Sequence, residues 1–360
     1  MELTEKPLNR EPPVSELVST FYTSTKNGYD RNHGMIPQID ASKHQVLVDG
    51  AVSQNLTLSI PDLQSFPQHT VVCALQCAGN RRHTMRTHLK EVQGLDWFDG
   101  AVMNCKWRGP RLLDVLSRAG PQLSHGHVAF ASYASECQED SWYGGSIPLS
   151  RALDAGADVI LALEMNDAPL EAKHGFPVRV VTPGIAGARA VKWLDRITVQ
   201  DEESSNHYQK FDYKILPPEA TDKESAEKFW GTTPALQEMP VNSVVAVPLS
   251  ESTVARDAQG LVHCQGYAVP SGENGPVMRV EVSGDGGQTW SDAELIGHPE
   301  QGKWSWSLWK AAIKMESGEG KEICSRATDK AGNTQEREAQ WNLRGCGYNG
   351  YGLAEKLHVV

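Results

Sequence analysis

The stretch from residue 71 to residue 82, VVCALQCAGNRR, contains the densest group of chemically reactive side chains in the sequence. Its apolar residues predict a β-strand. On a strand Cys73 and Cys77 point to the same face, but at about 3.3 Å per residue they are roughly 13 Å apart, too far for one disulfide or one shared metal. We therefore interpret Cys73 as a small buried apolar residue.

Cys77 ends the predicted strand and could carry chemistry. Gly79 leaves room for a bulky group beside the backbone, and the charges of Arg81 and Arg82 would favour the thiolate. A thiolate here could be a nucleophile, with His83 as a nearby candidate base, or a soft metal ligand, and a purely structural role is the third alternative. Since one thiolate cannot hold a metal alone, a metal would imply a cofactor that brings its own donors.

Three further segments combine basic side chains with glycine turns. They are residues 29–34 (YDRNHG), residues 173–193 and residues 341–345 (WNLRG). Backbone N–H groups of such turns, beside Arg, Lys or His, suit a phosphate or another oxyanion. Each segment alone could be a solvated loop. Three of them in a chain with a net charge of −11 favour an anionic ligand.

The elements that must position these residues fall into two parts. Residues 1–215 mix short apolar runs with helix-like segments such as PRLLDVLSRAG, which predicts an α+β domain. Residues 216–240 are rich in proline and charge and are typical of a linker. Residues 241–360 hold alternating β runs at regular spacing, with a hairpin signal at Asp285-Gly286, so we predict an immunoglobulin-like β-sandwich there. The usual nucleotide-binding loops do not occur.

The composition excludes several classes of protein. The 360 residues, 39% hydrophobic and 22% charged, are typical of a soluble globular protein with two cores. No apolar run reaches the roughly 18 residues of a membrane span, and residues 1–35 resemble neither a signal nor a transit peptide, so we expect an intracellular protein, cytoplasmic by default. Seven sparse cysteines indicate free thiols. The net charge of −11 argues against nucleic acid and anionic membranes as partners.

These segments together resemble the sulfite oxidase family of molybdenum enzymes. The resemblance covers nearly the whole chain, and its most specific motifs are LQCAGNRR and HGFPVRVV. Other matching stretches, in family order, include REPPVSELVSTF, YDRNHG, YGGSIPL, ALEMNDAPL, FDYK, VSGDGGQTW and WNLRG. The resemblance implies a mixed α/β molybdopterin domain, an immunoglobulin-like dimerisation domain, a homodimer, and a molybdenum-molybdopterin cofactor.

The resemblance also implies a role for each motif. Cys77 matches the thiolate ligand of molybdenum, and Tyr213 matches the tyrosine whose hydroxyl lies beside the metal. The positions that hold the pterin and its phosphate are matched by Arg31, Asn32, His33, Cys77, His174, Arg179, Ala190, Val191 and Lys192. The sulfite pocket is matched by Arg31, Arg82, Trp97 and Arg344. The implied reaction is oxidation of sulfite to sulfate by oxygen-atom transfer, in which arginines hold the anion and the cofactor supplies the redox chemistry.

Two alternatives to a sulfite oxidase stay open. An assimilatory nitrate reductase shares the Cys-Ala-Gly-Asn-Arg-Arg core but carries methionine where this chain has Arg344, and nitrate needs fewer cations than sulfite. A non-catalytic relative acting as an interaction module would be expected to have lost Cys77 or Tyr213. The two domains account for all 360 residues, so we expect no haem in this chain and reoxidation by oxygen or by a separate electron acceptor.

Three positions depart from the family pattern. Ser135, with Glu136 beside it, stands near the place of a family aspartate that contacts the pterin, so no role is assigned there. Gln93 replaces the basic residue expected four positions before the pocket tryptophan, which implies weaker affinity for sulfite. The tail after WNLRG diverges and adds Cys346, and we expect it to form an altered dimer edge.

Overall fold

The computed structural model describes residues 1–360, and most of its regular elements are short strands. Thirteen strands precede the connection between the two domains: β1 Glu2–Glu5, β2 Leu8–Arg10, β3 Gln45–Gly50, β4 Leu56–Ser59, β5 Gln68–Gln76, β6 Val102–Pro110, β7 His127–Ser132, β8 Tyr143–Pro148, β9 Ile160–Ala162, β10 Glu164–Met165, β11 Ala168–Pro169, β12 Arg179–Val181 and β13 Arg196–Gln200. Nine strands follow it: β14 Asn242–Val247, β15 Thr253–Val254, β16 Leu261–Val269, β17 Val277–Ser283, β18 Ser291–Asp292, β19 Glu294–Ile296, β20 Ser307–Lys314, β21 Gly318–Asp329 and β22 Gly352–Val359.

The helices are few and short. They are α1 Val14–Leu17, α2 Ile60–Ser65, α3 Arg82–His88, α4 Leu112–Ala119, α5 Leu149–Leu153, α6 His207–Lys210 and α7 Lys223–Trp230. No helix is both long enough and apolar enough to span a bilayer.

A five-stranded mixed sheet forms the larger core of the first domain. Its order is β4-β3-β13-β7-β8, with β3 and β13 parallel and the other neighbours antiparallel. The helix α4 contributes to this core because its apolar residues recur with helical spacing, and Leu112, Val115, Leu116 and Ala119 are all buried. The reactive segment lies in a second, smaller sheet of four strands, in the order β11-β10-β6-β5.

The strands β5 and β6 carry the reactive segment. They pair antiparallel, with Cys73 opposite Cys105 and Gln76 opposite Val102. Cys73 has no exposed surface, which confirms its interpretation as a buried apolar residue. Because β5 ends at Gln76, Cys77 is the first residue beyond the strand.

The second domain is a sandwich of two sheets. Their strand orders are β14-β16-β20-β19 and β15-β22-β21-β17-β18, and residues such as Val280, Trp309, Ile323 and Leu357 form the core between them. The predicted hairpin joins β17 to β18, which pair antiparallel. The predicted fold class, an α+β domain followed by a β-sandwich, is confirmed.

The divergent tail does not form an edge of the sandwich. It forms β22, which lies between β15 and β21 and has neighbours on both sides. Its apolar residues Ala354, Leu357 and Val359 are buried, so one face of β22 belongs to the sandwich core. Only His358 and Val359 of this strand pair with β15. Our expectation that the tail forms an altered dimer edge stays a prediction.

The two domains are joined by packing as well as by the chain. Within residues 216–240, which the sequence predicts to be a linker, Ala226 of α7 packs in a small cluster with Leu343, next to Arg344 of WNLRG. Trp304 of the sandwich is buried in the core beside β5 and β6, where its carbonyl accepts a hydrogen bond from Ala74 N–H at 2.9 Å. Trp304 Nε1 also donates to Asp158 at 2.8 Å. The sandwich is thus fastened to the strand that leads to Cys77.

Candidate active site

Most of the predicted site residues line one cleft of the first domain. The cleft has a volume of about 760 Å³, including the part open to solvent. Its lining includes nine predicted residues: Arg31, Asn32, His33, Cys77, His174, Arg179, Ala190, Lys192 and Tyr213. They come from loops and strand ends that lie far apart in the sequence.

Cys77 sits at the end of β5 with its backbone fixed. Its N–H donates to Ala101 O at 2.9 Å, and its Sγ accepts from Gly79 N–H at 3.4 Å. Burial raises the pKa of the Cys77 thiol, although Arg31 and Arg82 act in the opposite direction. Arg82 therefore favours the thiolate, as expected, but in the protein alone burial outweighs the arginine charges. A metal cation bound at Sγ would stabilise the thiolate.

Residues 31–33 form one wall of the cleft and are held by the N-terminal hairpin. Asn9 Oδ1, on β2, accepts from Asn32 N–H at 2.9 Å and from Arg31 Nη1 at 3.2 Å. Asn32 Nδ2 donates to Leu8 O at 2.7 Å. Sequence reasoning missed Asn9, since no local pattern links residue 9 to residue 31.

Two cations, the buried Arg179 and the half-buried Lys192, line the cleft. Arg179 donates to His174 O at 3.0 Å and to Ala190 O at 3.1 Å. Lys192 Nζ donates to Lys173 O at 2.9 Å and also contacts the Asn32 side-chain oxygen. Burial lowers the pKa of Arg179 to about 10 and that of Lys192 to about 7. These cations are bonded to carbonyl and amide oxygens rather than to carboxylates, so they remain available to an anion.

Anion binding at Lys192 is expected to weaken as the pH rises. In the unloaded protein this amine loses its proton near a pKa of about 7, and an anion favours the protonated form. Sulfate affinity, measured by calorimetry, should therefore fall above about pH 7, by at most about tenfold per pH unit. Sulfate is the probe because its charge is constant in this range. Burial lowers the pKa of the neighbouring His174 to about 3, so that ring stays neutral throughout.

The control for this prediction is Lys192→Arg. A guanidinium stays protonated, so this variant should bind sulfate with a flat pH profile. A flat profile for the unmodified protein would contradict the assignment of Lys192 to an anion.

Tyr213 lines the cleft, and its sequence neighbour Asp212 holds Arg344. Tyr213 has a left-handed backbone, with φ of 48°, and is 4% exposed. Asp212 Oδ1 accepts from Arg344 Nη2 at 2.8 Å and from Arg344 Nε at 3.2 Å. Burial acts to raise the pKa of Asp212, but the paired Arg344 outweighs it and the pKa lies below its usual value. Sequence reasoning missed Asp212, although its place beside Tyr213 in FDYK is a usable signal.

Arg82 and Trp97, like Arg344, do not line the cleft. The Arg82 guanidinium donates to Leu95 O at 2.8 Å and to Arg344 O at 2.9 Å. Gly79 leaves the space that this side chain needs, because a Cβ there would lie 2.6 Å from the guanidinium carbon. Trp97 has no exposed surface, and its Nε1 has no protein partner. The indole N–H is therefore an available donor in the interior.

The remaining predicted positions are more scattered. The Val191 side chain belongs to the hydrophobic core and does not line the cleft. Ser135 lines the cleft, whereas Glu136 is exposed outside it. Gln93 is exposed, and its N–H donates to Leu343 O. Cys346 is 1% exposed, with its Sγ 4.0 Å from the Arg82 guanidinium.

The chemistry of the cleft fits a molybdopterin group. No cluster of three or more His, Cys, Asp or Glu side chains is arranged to hold a metal ion by itself. Cys77 offers one soft sulfur donor, and Arg31, Arg179 and Lys192 offer positive charge without carboxylate partners. A group that brings other metal donors and carries a phosphate matches both features.

Comparisons with known proteins agree with this fit. Residues 33–208 match the family model of the oxidoreductase molybdopterin binding domain, and residues 233–353 match that of the Mo-co oxidoreductase dimerisation domain. The mitochondrial sulfite oxidase of Rattus norvegicus is 42% identical over 99% of this chain. The chain spans 64% of the length of that relative.

A plant relative matches almost end to end. The sulfite oxidase of Arabidopsis thaliana is 38% identical over 95% of this chain and 89% of its own length. The crystal structure of the sulfane dehydrogenase SoxCD from Paracoccus pantotrophus shares the fold, with a TM-score of 0.79 at 24% identity over 98% of this chain and 87% of that chain. On this evidence the chain belongs to the sulfite oxidase family of molybdopterin-dependent oxidoreductases.

Proposed function

We propose that this protein oxidises sulfite to sulfate at a bound molybdenum-molybdopterin group. The observation that carries the proposal is the cleft itself, where one buried thiol at a strand end faces cations that no carboxylate neutralises. The names of the rat and Arabidopsis relatives support the same reaction. When bound, the group would supply the two-electron oxygen-atom-transfer chemistry.

Different residues of the cleft would hold the metal and the pterin of that group. Cys77 would be the protein ligand of molybdenum. The pterin and its phosphate would be held by Arg31, Asn32, His33, His174, Arg179, Ala190, Lys192 and the backbone at Val191. These cations, which are buried or half-buried, favour a phosphate because charge-assisted hydrogen bonds are strong where little water enters.

A second set of residues would bind the substrate. Sulfite carries between one and two negative charges near neutral pH, and its sulfur lone pair must face the reacting centre. Arg31, Arg82 and Arg344 would hold the sulfite oxygens and so orient the sulfur. The free Trp97 N–H and the Tyr213 hydroxyl would add neutral donors.

Arg344 favours sulfite over nitrate as the substrate. The nitrate reductases that share the cysteine motif carry methionine at this position, and a singly charged anion needs fewer cations. The presence of both Cys77 and Tyr213 in the cleft argues against a non-catalytic relative.

The substitution Arg344→Met is expected to raise KM for sulfite by about 10- to 100-fold, since losing one contact to a charged group costs about 1.5–3 kcal/mol. Steady-state kinetics of the molybdenum-loaded protein measure the change. In Arg344→Met alone, the buried Asp212 carboxylate also loses its partner. The double variant Arg344→Met/Asp212→Asn removes that unpaired charge, so its KM reports the loss of the sulfite contact. Arg337→Met, on the surface of the sandwich, controls for the loss of one charge. An unchanged KM would remove Arg344 from the pocket.

We further propose that the protein is a homodimer assembled through the sandwich, as the dimerisation-domain match suggests. The two electrons taken from sulfite would be passed on to molecular oxygen, giving hydrogen peroxide, or to a separate acceptor protein. All seven cysteines are free, which supports a reducing compartment such as the cytoplasm. Sedimentation equilibrium, peroxide detection during turnover and cell fractionation test these three points separately.

The central test combines metal analysis with two assays on the purified protein. Bound molybdenum is measured first, and sulfite-dependent reduction of ferricyanide is then compared with nitrate-dependent oxidation of a reduced viologen dye. We expect molybdenum near one atom per chain and turnover of sulfite only. Metal-loaded protein that does not turn over sulfite would overturn the proposal. Turnover of nitrate alone would show that the protein is a nitrate reductase instead.

A further inference from the structure

Both ring nitrogens of His33 are engaged by protein groups. Nε2 lies 2.6 Å from Tyr213 Oη, and Nδ1 lies 3.3 Å from Arg31 Nη2. The ring packs on Tyr208, with 3.8 Å between the ring centroids, and the residue is 8% exposed. The imidazole is therefore fixed in orientation.

The partner at Nδ1 determines where the imidazole proton lies. A guanidinium has only donors, so Nδ1 must accept from Arg31. Burial lowers the pKa of His33 well below its usual value, and the charges of Arg31, Arg344, His207 and Lys192 act in the same direction. A neutral imidazole has one N–H, so the proton is on Nε2 and is donated to Tyr213 Oη.

The reverse arrangement is unfavourable. If Tyr213 donated to His33, Nε2 would have to be bare and Nδ1 would carry the proton. That N–H would then face the Arg31 guanidinium, a second donor, at 3.3 Å. Two buried donors pointed at each other lose a hydrogen bond and add repulsion.

This arrangement leaves the Tyr213 hydroxyl proton free. His33 is the one protein group in hydrogen-bond contact with Tyr213 Oη, and it approaches as a donor. Burial raises the pKa of Tyr213 well above its usual value, so the side chain is a phenol and keeps its proton. Tyr213 lines the same cleft as Cys77, so this proton can be donated to an oxyanion there.

We propose that His33 is a positioning residue that turns the Tyr213 hydroxyl proton toward the anion in the cleft, by donating its own Nε2–H to the Tyr213 oxygen. This role rests on the proposed oxidation of an oxyanion in the same cleft. His33 acts through Tyr213 and does not serve as a base for it.

The tautomer is tested on unloaded protein labelled with ¹⁵N-histidine. Long-range proton–nitrogen correlation spectra show which ring nitrogen carries the proton, and the His33 signals are those that disappear in His33→Gln. We expect the Nε2–H form near neutral pH. An Nδ1–H form would overturn the proposal. This measurement needs neither molybdenum nor turnover, so it stands apart from the proposed sulfite oxidation.

The role is tested by kinetics per bound molybdenum. His33→Leu removes the donor to Tyr213 Oη, so the Tyr213 hydroxyl is no longer turned toward the anion. We expect kcat for sulfite to fall by about tenfold or more, the effect of losing the hydrogen bond from this hydroxyl to the charged anion. His33→Gln keeps an N–H at similar reach and should recover most of that loss. In a Tyr213→Phe background, His33→Leu should cause no further loss of kcat.

Three results would overturn the role. Equal kcat losses in His33→Leu and His33→Gln, or a full additional loss in the Tyr213→Phe background, would show that His33 does not act through the hydroxyl. A loss of bound molybdenum with unchanged kcat per metal would make His33 a cofactor contact only. If the unmodified loaded protein turns over no sulfite, the proposed function fails, and the spectra still decide the tautomer.

Discussion

Replacement of Cys77 by serine is expected to abolish sulfite oxidation and leave the fold intact. The side chain makes one hydrogen bond, from Gly79 N–H, which a hydroxyl can also accept, and the backbone remains tied to Ala101. A hydroxyl is a harder and much less acidic donor than a thiol, so it is a poor replacement for the proposed metal ligand. We expect kcat to fall by more than about a thousandfold, or about 4 kcal/mol of activation free energy.

The measurements are kcat, bound molybdenum and the thermal unfolding midpoint. The matched control is Cys73→Ser, on the same strand and fully buried in the apolar core. The serine hydroxyl would be buried there without a hydrogen-bond partner, so Cys73→Ser should unfold at a lower temperature. It should keep its activity per folded molecule. Substantial activity in Cys77→Ser would contradict the assignment of the ligand.

The second large effect is a loss of stability in Arg81→Met. The Arg81 guanidinium is buried between the domains, where Nη1 donates to Asn242 Oδ1 at 2.7 Å and to Gly350 O at 2.6 Å. Nη2 donates to Tyr351 O at 2.6 Å, and the group lies 4.8 Å from the centre of the Tyr348 ring. Methionine would remove the side-chain donor to Tyr351 O, one of the two donors to Gly350 O and to Asn242 Oδ1, which also accept from Gln335 Nε2, and the ion pair with Asp99 at 3.4 Å. We expect these losses together to cost about 3–5 kcal/mol of unfolding free energy.

Urea denaturation measures this loss, and Arg82→Met is the control next in sequence. The Arg82 guanidinium donates to two carbonyl oxygens, those of Leu95 and Arg344, and belongs to the set proposed to bind sulfite. We expect Arg82→Met to reduce activity more than stability, and Arg81→Met to do the opposite. Equal stability losses in the two variants would show that Arg81 is not a special link between the domains.

The sequence by itself determined the broad organisation and the centre of the chemistry. Strand spacing separated Cys73 from Cys77, because a period of two residues and a known rise per residue are local properties. Alternating runs and a hairpin signal were sufficient for the sandwich, which the structure confirms. The motif resemblance identified the family, as the matches over nearly the whole chain show.

Only the tertiary structure decided what each polar side chain contacts. It turned Arg81 toward the sandwich and Arg82 toward the carbonyl oxygens of Leu95 and Arg344, although they are neighbours in sequence. It brought Asn9 to Arg31 and tied His33 to Tyr213. The physical reason is that a hydrogen bond depends on where two chain segments meet in space. Local patterns of hydrophobicity and turn residues carry no information about partners that are up to 270 positions apart, as Arg81 and Tyr351 are.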